Sequence, residues 1–227
     1  MNNNIALVIF SADINDDLWE VNDILINKYW PSHPSIYLLS ETKQYKNFNT
    51  INFNYPINLW TKRIRESLAL IPEEYIIFMC DDCFLQEPVN KELLDECLHF
   101  MQAHSNIANI NFELSFDNKN IDCENPHLKF RPKRSTTRVS LLCGLWNKNK
   151  LISILDRDCS PWEIEKKQDD KKYDYYTLKN KKVISWLNDG PFLCGGIFQG
   201  KFHHNTLEFL QNEGIDINKL HERKEVN

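Results

Sequence analysis

Two adjacent carboxylates, Asp81 and Asp82, follow directly on the most apolar run of the chain, Tyr75–Cys80 (YIIFMC). A buried strand that empties into two acids sets them where charge is costly without a cation or a network of hydrogen bonds. In open parallel sheets, ligands bind beyond the carboxyl ends of the strands. A hard divalent ion such as Mg²⁺ or Mn²⁺ takes one or two carboxylates together with substrate phosphates. A solvated turn with an N-cap is the plain alternative for a bare acid pair, and the strand in front of this one favours chemistry. Cys80 and Cys83 frame the pair as CxxC, but zinc would need a second such pair, and the other cysteines stand alone.

Three further groupings carry reactive side chains. Trp60 and Thr61 lead into Lys62, Arg63 and Arg65 at the head of a helical pattern, where anions are favoured; solvated surface charge is the alternative. Ser160-Pro161-Trp162-Glu163-Ile164-Glu165 opens another helix. There Trp162 can shield a carboxylate from water and raise its pKa toward that of a general base, or the acids can simply complete a cap. Gly195 to His204 (GGIFQGKFHH) combines glycines that admit close backbone approach with Lys201 and two histidines that can meet phosphate or metal.

The elements that must position these groups read in order. Ile5–Phe10 is a buried strand, followed by the turn formers of SADINDD and an amphipathic helix over 17–29. SIYLL (35–39) and residues 51–53 read as strands. Trp60, Ile64, Leu68 and Ile71 mark a second helix before YIIFMC, and Leu93, Leu94, Leu98 and Met101 a third after it. The alternation predicts a parallel sheet with helices on both faces. Residues 107–114 and 183–187 read as strands, 150–155 and 204–213 as helices, and Lys129–Arg138 (KFRPKRSTTR) as a basic loop. The expectation is an α/β chain with a Rossmann-type, mostly parallel sheet flanked by helices, in one domain over residues 1–221: a nucleotide-binding half (1–105), an acceptor half (106–221), and a frayed tail from Glu222.

Composition narrows the chemistry. The 227 residues include only six glycines, none before Gly144. That excludes a P-loop or a GxGxxG turn in the first half, since both need glycines to bring backbone amides onto phosphate. A nucleotide bound there must be held by side chains and a metal. A net charge of −5 argues against a general nucleic-acid binder, while the basic second half suits a phosphate-bearing ligand. No apolar run is long enough to span a bilayer. The start MNNNIALVIFSAD lacks a basic leader, and the seven cysteines are odd in number and scattered. Free thiols in the cytoplasm are expected, with peripheral membrane contact left to the basic patches.

Four stretches occur in an order that resembles small bacterial GT-A-type glycosyltransferases of surface polysaccharide synthesis: LWEVNDILINKYWPSHPSIYLLSET, LWTKRIRESLALIPEEYIIFMCDDCFL, SLLCGLWNKNKLISIL with SPWEIE, and GGIFQGKF. The resemblance covers roughly residues 5–215. It implies a nucleotide-sugar donor held on the first half and a saccharide or lipid-linked saccharide acceptor on the second. It implies a DxD-type acidic motif carrying Mn²⁺ or Mg²⁺. Here that motif is Asp81-Asp82-Cys83, with Asp82 on the metal and Asp81 on the metal or the donor. Ser11, Asp13, Ser40, Glu41, Trp60 and Arg63 match donor-binding positions. Glu165, or else Glu163, matches the base that deprotonates the acceptor. Trp162, Gly196 and Lys201 fall on the acceptor side. Two rivals stand beside this reading. One is a metal-dependent nucleotidyltransferase, which ordinarily has a glycine-rich loop after its first strand. The other is a non-catalytic nucleotide- or sugar-binding scaffold.

Overall fold

The structure is a computed structural model that describes residues 4–133, 135, 138–167, 172–188 and 195–223. Arg134, Thr136 and Thr137 of the basic loop, Gly190–Cys194 of the glycine-rich stretch and tail residues 224–227 lie outside these.

The first half alternates as expected. β1 (Ile5–Phe10), α1 (Asp17–Tyr29), β2 (Ile36–Ser40), β3 (Asn49–Asn52), α2 (Trp60–Ala69), β4 (Tyr75–Cys80) and α3 (Lys91–Ala103) follow one another. β5 (Ile107–Leu114), β6 (Ile121–Asp122), β7 (Leu128–Phe130), β8 (Cys143–Asn147), α4 (Lys148–Ile154), α5 (Pro161–Lys167) and β9 (Asp174–Leu178) complete the main body. A hairpin, β10 (Ile197–Phe198) and β11 (Lys201–Phe202), precedes α6 (Thr206–Asn212).

One nine-stranded sheet runs β3-β2-β1-β4-β8-β5-β9-β7-β6. β1 to β4 pair in parallel, as do β5 and β9, but β8 lies antiparallel between β4 and β5, and β7 is antiparallel to β9. The sheet is therefore mixed and mostly parallel, as expected.

Burial on both faces explains the continuous apolar strands. Leu7 and Ile9 of β1 and Ile77 and Met79 of β4 join a core with Leu18 and Leu25 of α1 and Leu94 and Leu98 of α3. Their neighbours Ala6, Val8, Ile76 and Phe78 point the other way, onto Trp60, Ile64 and Leu68 of α2 and Leu151 of α4. Each of the Val, Leu, Ile, Phe and Met side chains among them contributes about 1.5–3 kcal/mol through burial.

Two expectations need correction. Val183–Leu187 is buried but forms no strand; its ladder pairing is a single bridge between Leu85 and Trp186. Conversely β9 lies in a lysine-rich stretch that gave no strand signal. The six described cysteines are free thiols, and no described helix is long and apolar enough to cross a membrane.

Candidate functional site

Register brings the acids to a shared rim. Phe10 pairs with both Leu39 and Cys80, so the residues that follow β1, β2 and β4 converge at one end of the sheet. Ser11 Oγ donates to Asp81 Oδ2 at 2.5 Å and accepts from Trp19 Nε1–H at 2.7 Å. Asn15 Nδ2 donates to the same Asp81 oxygen at 3.0 Å, and Asn22 Nδ2 to the Asp81 carbonyl at 2.6 Å. Residues of α1 and the loop before it thus fix Asp81, which is 4% exposed. Burial, joined by the charge of Asp82, pushes Asp81 up to about 7 against the pull of Ser11, Asn15 and Arg223.

Asp82 is 8% exposed. Its Oδ2 accepts from Ile197 N–H at 3.2 Å and its carbonyl from Gly196 N–H at 2.7 Å. A side chain at Gly195 would sit 2.5 Å from Asp82 Cγ, and one at Gly196 would sit 2.3 Å from Phe84. The glycine pair therefore lets backbone close over Asp82. The hairpin that follows turns on Gln199 and Gly200, both with positive φ, as a tight two-residue turn requires. Asp82 Oδ1 is buried and has no hydrogen-bond partner among the described residues. Burial raises this carboxyl too. A ligand atom from each of Cys80, Asp81 and Asp82 falls within 4.8 Å of the others. An orphaned carboxylate oxygen beside a second carboxylate suits a divalent cation.

A second strut lies on the α2 side. Arg63, 4% exposed, donates through Nη2 to the Ser11 carbonyl at 2.9 Å and through Nη1 to Glu41 Oε1. Glu41 also accepts from Asp13 N–H. The Asp13 carboxylate accepts from the backbone N–H groups of Glu41, Thr42 and Lys43. Although burial opposes it, those bonds and the Thr42 hydroxyl hold Asp13 below its usual range. Asp13, Glu41 and Arg63 are thus brought together, tying the end of β1 to that of β2.

The C-terminal segment reaches the acids from behind, a link that sequence reasoning missed. Arg223 makes a two-pronged pair with Asp17 and donates through Nη2 to Asn15 Oδ1 at 3.1 Å. Asn15 in turn holds Asp81. The tail expected to fray from Glu222 is therefore fastened as far as Arg223. Burial works against it, but Arg223 and His221 hold Asp17 below the usual carboxylate range. That contribution to stability is present above the ordinary carboxylate range and is lost as pH falls through the lowered value. Arg223→Ala is expected to cost about 3 kcal/mol near neutral pH, because it strands a buried charge. Urea unfolding at several pH values should show the deficit closing as Asp17 becomes protonated. A deficit independent of pH would contradict the pairing.

The two candidate bases are set apart. Glu163 Oε2 accepts from Ser160 N–H and Ser160 Oγ–H, both at 2.8 Å. This is the return half of a capping box, with the hydroxyl donating to the carboxylate, and Glu163 is exposed. Glu165 turns inward, its Oε1 accepting from Leu141 N–H at 2.7 Å. Leu141 precedes Leu142, whose carbonyl accepts from Cys80 N–H at 3.0 Å. Glu165 is thereby seated one strand away from the twin acids. Burial raises its pKa, Glu113 adds to the rise, and Arg131 and the Leu141 bond oppose it.

Glu113 and Arg131, also missed from sequence, pair at 3.0 Å with side chains almost wholly buried. Ser140 Oγ approaches Glu113 at 3.5 Å. No sequence pattern marks this pair, because it joins β5 to β7 across β9.

The remaining expected residues lie elsewhere. Trp60 is in the core, edge-on to Phe10 at 5.6 Å between ring centres, and offers little surface to a donor. Ser40 is fully buried and bonds Lys43 and Asn52. Trp162 is 62% exposed at the start of α5, and Lys201 is exposed on β11.

No family model matches the chain, and no curated protein is significantly similar to it. Similarity appears among solved structures. Residues 1–349 of S. aureus TarS superpose with a TM-score of 0.52 at 9% identity, over 81% of this chain and 60% of that one. The fold is GT-A-like. A longer TarS structure gives 0.51 at 11% identity over 81% and 36%, and bifunctional IspDF from Campylobacter jejuni gives 0.49 at 14% over 81% and 52%. The chain spans less than two thirds of each of these. TarS has been crystallised with UDP and with UDP-GlcNAc.

Proposed function

We propose that the protein is a glycosyltransferase that moves a sugar from a nucleoside-diphosphate sugar to a hydroxyl of a saccharide or lipid-linked saccharide. The observation that carries this reading is the pair Asp81–Asp82 on a GT-A-like rim, with Asp82 Oδ1 buried and unpartnered among the described residues. A TarS-like fold and the four-motif resemblance support it, and the same resemblance is the ground for proposing a role in bacterial surface polysaccharide synthesis in the cytoplasm. The glycine-free SADIND loop after β1 speaks against nucleotidyl transfer.

Each part of the site has a task. Asp81 and Asp82 would hold Mn²⁺ or Mg²⁺, which supplies positive charge for the departing diphosphate. Ser11, Asn15 and Asn22 fix Asp81 so that its orientation is set before donor arrives. Asp13, Glu41 and Arg63 shape the wall between β1 and β2 against which the nucleoside lies. Glu165 takes the proton from the acceptor hydroxyl, and burial, by raising its pKa, makes it a stronger base than an exposed carboxylate. Exposed Trp162 and Lys201 line the approach of the acceptor.

The test is a turnover assay with a panel of nucleotide sugars and Mn²⁺, reading release of nucleoside diphosphate. Release from one nucleotide class is expected. Release of pyrophosphate from a nucleoside triphosphate and a sugar phosphate, with no diphosphate from any donor, would point to nucleotidyl transfer and overturn the proposal.

A further inference from the structure

Cys80 stands at the twin acids. It ends β4, and its N–H is fixed on the Leu142 carbonyl. Its Sγ lies 3.9 Å from Asp81 Oδ1 and within 4.8 Å of carboxylate oxygens of both aspartates. The residue as a whole is half-buried, not sealed in the core. A separate observation concerns one of the two acids: Asp82, more than nine-tenths buried, presents an oxygen, Oδ1, with no hydrogen-bond partner among the described residues. One sulfur and two buried carboxylates thus converge, and a cation held among them would offset negative charge that burial makes costly.

We propose that Cys80 is a third protein ligand of the cation held by Asp81 and Asp82, and that the site therefore selects a divalent ion with affinity for sulfur, such as Co²⁺ or Zn²⁺, ahead of Mg²⁺. The proposal rests on the cation role assigned above. Sulfur is a soft donor that Mg²⁺ accepts poorly, whereas later first-row ions bind it well. On binding, the S–H bond breaks, its proton passes to solvent, and a sulfur–metal bond forms with no change of oxidation state.

The probe is Co²⁺ added to the full chain, followed by absorption and calorimetry. A near-ultraviolet sulfur-to-cobalt band is expected to saturate at one ion per chain. Cys80→Ser should lose the band, bind Co²⁺ more weakly, and narrow the preference for Co²⁺ over Mg²⁺ by about tenfold or more. Cys83→Ala should keep the band. A second readout needs no variant at Cys80: bound Co²⁺ should slow alkylation of Cys80, measured by mass spectrometry, and Asp82→Asn should abolish that protection. Stoichiometric Co²⁺ binding without the band, a band that survives Cys80→Ser, or alkylation at an unchanged rate would overturn the ligand role while leaving the carboxylate site standing. Failure of the chain to bind any divalent ion would overturn the cation reading itself.

Discussion

Asp82→Asn is expected to lose sugar transfer by about a thousandfold, the scale of removing a main source of charge stabilisation from a transition state. The same variant should melt no lower than the wild type when metal is withheld. The reason is the sign of the electrostatics. Asp82 is buried beside Asp81, and both carboxyls are raised above their ordinary range, chiefly by burial. A folded-state pKa raised in an acid means that its ionised form weakens the fold at neutral pH. Asparagine removes that charge and can still accept from Ile197 N–H. Melting curves with and without Mn²⁺ should therefore show stabilisation by metal in the wild type and none in the variant. A variant that transfers sugar normally would remove the acid pair from the mechanism. One that melts far lower without metal would mean that Asp82 serves the fold.

Glu165→Gln is expected to slow transfer by about a hundredfold to ten-thousandfold, the usual share of a general base. In the wild type the rate should rise with pH through the raised pKa of Glu165, because the base works only when ionised. Its neighbours predict how that limb moves. Glu113 contributes to the rise and Arg131 opposes it. Glu113→Gln should accordingly shift the acid limb to lower pH, and Arg131→Met to higher pH. Both variants should also lose about 3–5 kcal/mol of stability by breaking a buried pair. Assays must stay well below their melting temperatures. Opposite displacement of the two pH profiles is a result that loss of stability alone does not produce. An unchanged profile in both would detach Glu165 from proton transfer.

The framework of the site is legible in the sequence where burial is two-sided or strictly amphipathic. β1, β4 and α1 announce themselves because every residue of those strands is needed by one core or the other. Strand direction is different. CGLWN of β8 has the composition of any buried strand, and nothing in it reveals that it runs against β4. β9 is hidden because Tyr175, Thr177 and Leu178 are buried between lysine-rich flanks that dominate the local composition. Val183–Leu187 misleads in the opposite sense, since loop packing buries it without a ladder.

Among the site residues, Asp81 and Asp82 are readable from their place after an apolar strand. The alternation on α5 likewise sends only one of Glu163 and Glu165 inward. Arg223 is not readable, because its partner Asp17 lies 206 residues away and a charged C-terminal stretch looks solvated. Trp60 shows the converse. It heads α2 beside Arg63, yet its ring is required by the core around Phe10 and Phe78.

The most direct measurement is calorimetric titration of nucleoside diphosphates into the wild-type chain and into Asp82→Asn, each with and without Mn²⁺. One nucleoside diphosphate should bind the wild type at least about tenfold more tightly when Mn²⁺ is present, a gain of about 1.4 kcal/mol, and Asp82→Asn should show no such gain. Equal affinity with and without the ion across the whole panel would contradict the claim that the twin acids gather a cation for the leaving group.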